Sequence, residues 1–568
     1  MNDAKKRFCE IILDKIESGE INSKIKLNLA KLETGRKLGI RNMPSNPDIL
    51  SHSNNPSKKT SILLSIKPLR TLSGVAPVAI MTKPIKCPHG TCLYCPGGPN
   101  SSFGSVPQSY TGNEPATMRA INNNYDAYRQ TTNRISQYYA TGHNPEKVEL
   151  IIMGGTFPSF EDQYQNEFIA GAFGAINDFS EHFFDSKKFD SKKFNKTFMK
   201  DGKCFSENTR EIMKTKNNHS LKEEHAKNEK ANIRIVTLCI ETRPDWSKEN
   251  EINKMLTLGA TRVELGVQSI YNKVLDYVNR GHGVEETIEA TRLLKDSGLK
   301  VTYHVMPGLP KSTKEMDIGM FKEIFENPDF RPDGLKIYPC MVMPGTGLEK
   351  LYNSKKFRPL ETEEAAEIIS EAGKYFPYYT RVHRIQRDIP TKFSMGGIDK
   401  NNLRQIAEKK MEEKGIILKD IRKRETGINK KINTEIEPEL IIRKYEASKG
   451  QEFFISFEDK KNDLISGFCR LRKPYKPFRK EFTENTACIR ELHVFGSALG
   501  IGKHGESEQH KGLGMKLIKE AEKIALEELD CKKLLIISGV GAREYYSKKL
   551  NYSRDGVYMS KKLSRNNK

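Results

Sequence analysis

The sequence predicts an α/β protein in which parallel strands and helices wind into a full or partial barrel, followed by a second unit in the last third of the chain. Two observations carry this. Between about residues 70 and 390, short apolar runs alternate with amphipathic helical stretches, the pattern of parallel strands joined by crossover helices. A length of 568 residues also exceeds what one ordinary core holds, which points to two or three domains.

Taken in order, residues 1–65 read as a basic, helical leader. Ile11, Ile12, Leu13 and Ile16 form an apolar face, and the polar run NPDILSHSNNPSKKT follows, so the leader is either a nucleic-acid arm or a solvated extension. Residues 66–395 form the barrel domain. Its strands are VAPVAIM, VELIIMGG, IRIVTLCIE, TRVELGVQ, LKVTYHVM and GLKIYPCM, and its helices include VEETIEATRLLKDSG and TKEMDIGMFKEIFEN. The stretch at about 180–230 carries a tandem DSKKF and few apolar residues, so it reads as an exposed or disordered insertion. A linker at 396–435 contains KDIRKRETG, whose Arg422 and Arg424 either touch a polyanion or bridge the domains, and residues 436–568 form the second domain.

Composition narrows the function. Lys and Arg total 95 against 73 Asp and Glu, a formal charge of +22, which favours a polyanionic partner, above all nucleic acid. Mean hydropathy is −0.63 and no apolar run approaches the roughly 20 residues of a spanning helix, which argues against a membrane protein. The N-terminus MNDAKKRFCEIILDKIESGE has no signal core, and ten cysteines lack a disulfide framework. Both fit a cytoplasmic, reducing setting.

The densest chemistry is KCPHGTCLYCPGG. Cys87, Cys92 and Cys95 supply three thiolates, which leaves one iron of a four-iron cluster open to a small molecule. A zinc site with His89 as fourth ligand, or plain structural thiols, are the alternatives. Barrel chemistry gathers at the C-terminal ends of strands, where this loop falls. Gly154, Gly155 and Thr156 follow the next strand and leave room for a ligand against the backbone, with Glu241, Arg243, Asp245, Glu264 and Gln268 at or beyond later strands. In the last third, QHKGLG places Gln509, Gly512 and Gly514 at the opening of a helix, a turn whose amides suit a pyrophosphate.

The triad followed by a GG turn resembles the radical S-adenosylmethionine superfamily, with one departure: four residues rather than three separate Cys87 from Cys92. The strand CIRELHVFG, the QHKGLG helix, KLLIISGVG and AREYYSKKLNY resemble the Gcn5-related acetyltransferase (GNAT) fold. The implied architecture is a partial parallel β/α barrel followed by an α+β GNAT-type domain. Together with KPLRTLSGVAPVAIMTKP, QSYTGNEPATMRAI, IETRPDW, ELGVQSIY, NRGH, FRPDGLKIYP and RIQRDIP, these strings resemble the Elongator catalytic-subunit family of tRNA wobble-uridine modifying enzymes.

The resemblance implies a [4Fe-4S] cluster, S-adenosylmethionine and acetyl-coenzyme A. It also implies a reaction in which a radical from S-adenosylmethionine activates the acetyl methyl, the carbon radical adds to C5 of the uridine, and thioester hydrolysis leaves a carboxymethyl group. Carried over to this chain, Cys87, Cys92 and Cys95 are metal ligands, Gly154, Gly155, Thr156 and Glu264 contact the cofactor, and Lys147 is a catalytic residue near acetyl-coenzyme A. Glu491, Leu492, His493, Val494, Gln509, Gly512, Leu513, Gly514, Met515 and Tyr546 are its contacts in the second domain, with Tyr545 and Tyr546 as candidates at the thioester. One of those two rings is expected in the core. tRNA, an electron donor, and companion subunits or a second copy are the implied partners. Lys83 and Lys86, beside the cysteine loop, are expected near tRNA. The family's interdomain zinc finds no matching ligand set here, since Cys239, Cys340 and Cys469 lie singly in apolar strands and read as buried thiols. The alternative reading is a protein lysine acetyltransferase whose cluster domain is structural.

Overall fold

In the computed structural model, residues 3–53, 56–66, 71, 73–200, 203–204, 219–429, 436–495 and 512–564 are described. Four helices open the chain: α1 (Asp3–Glu17), α2 (Lys24–Lys37), α3 (Asn46–Ser51) and α4 (Lys58–Leu64). They are not a solvated extension, because Phe8, Ile12, Ile16, Leu27, Ile49 and Leu64 close a small core of their own. Within the run read as polar, Ser45 caps α3 with a capping box and Ser57 caps α4, each giving a side-chain oxygen to a first-turn amide.

Seven parallel strands follow in chain order across one sheet: β1 (Ala76–Met81), β2 (Lys147–Met153), β3 (Arg234–Thr242), β4 (Arg262–Gln268), β5 (Lys300–Val305), β6 (Gly334–Ile337) and β7 (Arg381–Ile385). Sequential order with crossover helices is the right-handed winding of a β/α barrel, here left open between β1 and β7. The first six are those expected from sequence; β7, RVHRI, ends on the first two residues of RIQRDIP, and its alternating Arg and His hid it. The outward residues Val78, Ile80, Leu150, Ile152, Val263, Leu265 and Val301 are fully buried under the helices. Inward, β2, β4, β5 and β6 carry Glu149, Arg262, Glu264, His304 and Lys336, so these strands alternate rather than run continuously apolar as the sequence reading had them.

The insertion departs from expectation. Helix α5 (Ala127–Ala140) packs on α6 (Asp162–Phe183), and the tandem DSKKF leads into α7 (Ser191–Phe198). Phe189 stacks on Tyr139 with centroids 4.0 Å apart, and Phe194 and Phe198 are 2 % and 1 % exposed against Phe179 and Phe183. Aromatic anchors spaced along a lysine-rich run order it where overall apolar content is low. Residues 205–218 of that stretch lie outside the described residues. Further on, α8 (Val284–Asp296) covers β5.

The second domain is a seven-stranded mixed sheet: β8 (Glu439–Ala447), β9 (Gly450–Asp459), β10 (Leu464–Lys473), β11 (Thr486–Val494), β12 (Lys533–Ile536), β13 (Ser553–Asp555) and β14 (Tyr558–Lys562). Helix α9 (Leu513–Glu527) packs on it, and α10 (Arg543–Leu550) follows β12. β11 and β12 pair in parallel only over Thr486–Ile489, so the strands splay beyond that point. The domain closes the N-terminal end of the barrel. Cys488, Leu535, Ile537 and Tyr558 join the barrel core, and Gly539 passes so close to the Val236 carbonyl that a Cβ there would lie 2.0 Å from its oxygen. The linker is folded too. Arg424 donates to Glu458 (2.5 Å) and Asp463 (2.7 Å) of the second domain and lies over Tyr378 of the first, while Arg422 donates to the His383 carbonyl. Arg424 therefore bridges the domains, whereas Arg422 ties the linker to the barrel. Among the described residues no helix is long and apolar enough to cross a membrane.

Candidate active site

A cavity of about 1730 Å³ runs from the cysteine loop, through the barrel, to the splayed strands of the second domain. Strand β2 alone spans it. Lys147 at its start faces the second domain and Gly155 just past its end faces the cysteine loop, a strand length of about 20 Å away.

At the upper end, Cys92 and Cys95 are 5 % and 7 % exposed, and Cys87 lines the cavity. Donors converge on the sulfurs: the Ser109 amide reaches Cys95 Sγ at 3.2 Å, His89 Nε2 lies 3.2 Å from Cys92 Sγ, and the buried Arg280 guanidinium lies 3.6 Å from the same atom. Amide and guanidinium donors are what thiolate ligands of a cluster need around them. Three cysteine sulfurs on one loop with these donors around them are a set that fits a four-iron cluster with one iron left open. Burial pushes the Cys95 thiol up to about 11 and His89 down to about 4, so His89 is neutral. Gly154 and Gly155 have φ of +117° and +95°. A Cβ on Gly154 would meet Thr82 Oγ1 at 2.3 Å, so the turn tolerates no side chain there.

The barrel interior is a charge lattice. Arg262 pairs with Glu149 (2.6 Å) and Glu264 (3.0 Å), His304 Nε2 meets Glu264 at 2.9 Å, and Lys336 bridges Glu264 and Glu241. Tyr110 donates to Glu241 at 2.9 Å. Burial alone would raise the Glu264 carboxyl, but Lys336 and Arg262 overcome it and hold it well below the usual range. Glu264 is 0 % exposed and ion-paired with Arg262, His304 and Lys336, while its Oε1 has no hydrogen-bond partner among the described residues. Arg243 and Asp245 form a bidentate pair at 2.9 Å, and Arg243 also donates to the Arg280 carbonyl. Against this background Lys147 is conspicuous. Its ammonium has no hydrogen bond or ion pair among the described residues, and burial lowers its pKa.

At the lower end, Glu491, Leu492, His493 and Val494 of β11, Gly512, Gly514 and Met515 at the head of α9, and Tyr545 and Tyr546 of α10 line the cavity together. A Cβ on Gly514 would meet the Tyr545 hydroxyl at 3.3 Å, Val494 at 3.7 Å and Leu492 at 3.8 Å, which shows how tightly strand, turn and tyrosine converge. Tyr546 is the ring in the core, 7 % exposed among Leu517, Ile518 and Tyr552. Leu513 is 4 % exposed, which leaves its backbone rather than its side chain for a ligand. Gly512, at φ +72°, starts the helix, and Gln509 lies outside the described residues. Glu491 is no base: burial pushes its carboxyl up, but Lys300 (3.4 Å) and Arg470 (2.8 Å) outweigh this and hold it at about 2. His493 Nε2 lies 3.1 Å from the Ser73 carbonyl oxygen, which assigns its proton to that nitrogen.

Family comparison agrees with this layout. Residues 199–324 match the Radical SAM superfamily, 332–413 the Radical SAM C-terminal domain and 418–552 the acetyltransferase (GNAT) family. The chain is 49 % identical over 563 residues to a protein of Methanocaldococcus jannaschii named tRNA uridine(34) acetyltransferase, covering 98 % of this chain and 97 % of that one. It is 40 % identical over 567 residues to human Elongator complex protein 3, covering 98 % and 96 %. The chain belongs to the Elongator complex protein 3 family. The solved archaeal Methanocaldococcus infernus Elp3 with N-terminal deletion (1-46) matches the fold with a TM-score of 0.71 at 45 % identity, covering 86 % of this chain and 99 % of that one. Residues that sequence reasoning passed over in this Elongator complex protein 3 fold are Glu149, Arg262, His304, Lys336 and Arg280. The signal was present as period-two alternation, R-V-E in β4, K-V-T-Y-H in β5 and L-K-I in β6, which marks strands with one polar face.

Proposed function

We propose that this chain is a transferase that places an acetyl-derived carboxymethyl group on C5 of the wobble uridine of tRNA, with acetyl-coenzyme A as donor. The observation that carries the reading is the cavity joining the cysteine end to the thioester end, with the Lys147 ammonium at the thioester end free of hydrogen bonds and ion pairs among the described residues. Acyl transfer to a protein amine would instead need an open path from the thioester to solvent and a base to take the amine proton.

Cys87, Cys92 and Cys95 would hold a [4Fe-4S] cluster, with S-adenosylmethionine against Gly155 and Thr156. Bound together they supply a primary carbon radical able to take hydrogen from an acetyl methyl. The buried guanidinium of Arg280, which donates to the Gly266 carbonyl and lies beside Cys92 Sγ, suits the methionyl carboxylate. The amides of Leu492 to Val494 and of the Gly512–Met515 turn would hold the pantetheine and pyrophosphate. The Lys147 ammonium would orient the thioester carbonyl and stabilise charge that develops on its oxygen during hydrolysis. Glu264, Arg262, Lys336 and Glu241 keep the lumen electrostatically fixed and exclude stray water. The basic character of the chain would hold tRNA phosphates, with Lys83 and Lys86 near the upper mouth. Glu491, paired twice and anionic at all working pH, leaves the thioester strand without a carboxylate base, which disfavours a lysine acetyltransferase.

The deciding experiment incubates reconstituted full-length protein anaerobically with wobble-uridine tRNA, S-adenosylmethionine, reductant and methyl-labelled acetyl-coenzyme A. Label on uridine with 5′-deoxyadenosine supports the reading. Acetylated lysine on an added protein, with no label on RNA, overturns it.

A further inference from the structure

Beside the apolar contacts of Cys488, Leu535, Ile537 and Tyr558, the junction between the domains holds a patch of buried charge. Asp333, just before β6, receives both arms of Arg490 of β11 at 2.7 Å each. Asp333 is 4 % exposed and the Arg490 side chain 0 %. The same guanidinium reaches Glu452 at 2.9 Å, and Lys295, fully buried at the end of α8, lies 3.5 Å from Asp333 and 3.6 Å from Glu452. Arg470 lies 3.6 Å from Asp333 and Arg472 3.0 Å from Glu452 as well, so the two carboxylates sit among four cations in a buried charge network across the interface. Asp333 also accepts the Val301 amide of β5 at 2.9 Å, and Arg490 donates to the Leu299 carbonyl at 3.0 Å, so the network is stitched to the barrel backbone.

Removing such charges from water costs more than their attraction returns, and apolar residues of equal volume commonly give a more stable interface. What a bidentate fork adds is orientation. Arg490 adjoins Glu491 to Val494, the strand that lines the lower cavity, and Asp333 adjoins the strand that carries Lys336 into the lumen.

We propose that the Asp333–Arg490 pair is a positioning device that keeps the thioester-binding strand aimed along the barrel axis, and so sets how acetyl units divide between uridine and water. This rests on the function proposed above. When aim is lost, water attacks the thioester carbonyl, the C–S bond breaks, and acetate and the coenzyme A thiol leave with no bond to RNA.

The test uses reconstituted full-length protein. Coenzyme A affinity is measured by calorimetry, and labelled uridine and free acetate are counted in the same reaction. Asp333→Asn is expected to keep coenzyme A affinity within threefold of wild type and to lower the ratio of labelled uridine to acetate at least tenfold. Arg490→Lys, which keeps the charge but loses the fork, is expected to fall between. Because a lone buried charge can unfold the interface, the double variant Asp333→Leu with Arg490→Met removes both charges and is expected to fold while keeping the low ratio. An unchanged ratio in folded variants overturns the positioning role, as does a fall in label explained wholly by lost coenzyme A affinity. A wild type that leaves no label on uridine overturns the function proposed above together with this role.

Discussion

The two ends of the cavity are built in opposite ways. The cysteine end is local: three ligands within nine residues on one loop, with donors to their sulfurs close by. The thioester end is assembled from Lys147, Glu491 to Val494, the Gly512–Met515 turn and Tyr545, pieces drawn from two domains and nearly 400 residues of chain. A cluster needs a fixed number of thiolates at short range, which a loop can deliver. A thioester needs shape and backbone donors, which only packing can deliver. The ends should therefore fail differently when broken.

The largest expected effect removes one end without touching the other. Cys92→Ala should lower uridine labelling on the order of 1000-fold or more, since the loss of a ligand removes a group that acts as a unit with its partners. Coenzyme A affinity by calorimetry should stay within twofold. A parallel loss of coenzyme A binding would show that the ends are not separable.

Next comes Lys147, which joins the ends. Lys147→Gln should cost labelling about 100-fold, the scale of a lost donor to developing charge, while iron content and coenzyme A affinity hold. Its pH profile carries a sign. Burial lowers the Lys147 pKa, so the charged form, and activity with it, should be lost as pH rises, at a pH below the usual lysine range. Glu491, held at about 2, should add no acid limb above about pH 4. A profile flat through the alkaline side would remove Lys147 from the charged role.

The same contrast explains what was legible in the sequence. The triad, the GG turn and six of the seven barrel strands are local patterns and could be read directly. Apart from Glu241 and Glu264, the charged lumen was missed because Arg262, His304 and Lys336 alternate with Val263, Tyr303 and Leu335, and each strand read as apolar on its outward half. The DSKKF insertion looked unfoldable because its composition is lysine-rich, yet Phe189, Phe194 and Phe198 find Tyr139, Phe179 and Phe183, partners supplied by tertiary contact. The leader concealed its core for a similar reason: Leu27, Ile49 and Leu64 are too far apart in sequence to show a shared face.

The smallest effect separates two adjacent tyrosines within the thioester end. Their rings meet edge on at 5.3 Å, but their surroundings differ. Tyr545 brings its hydroxyl to the head of α9 beside Gly514, whereas Tyr546 packs into the domain core. Tyr545→Phe removes a polar contact worth about 1 kcal/mol, so labelling should fall about fivefold with the melting temperature unchanged. Tyr546→Phe should change labelling less than about twofold, while Tyr546→Ala opens a cavity that should cost about 3–5 kcal/mol of stability in denaturant unfolding. If Tyr546→Phe instead gives the larger kinetic loss, the thioester lies deeper between β11 and α10 than the Gly514 contact indicates, and the lower end of the cavity is read by the core-facing ring.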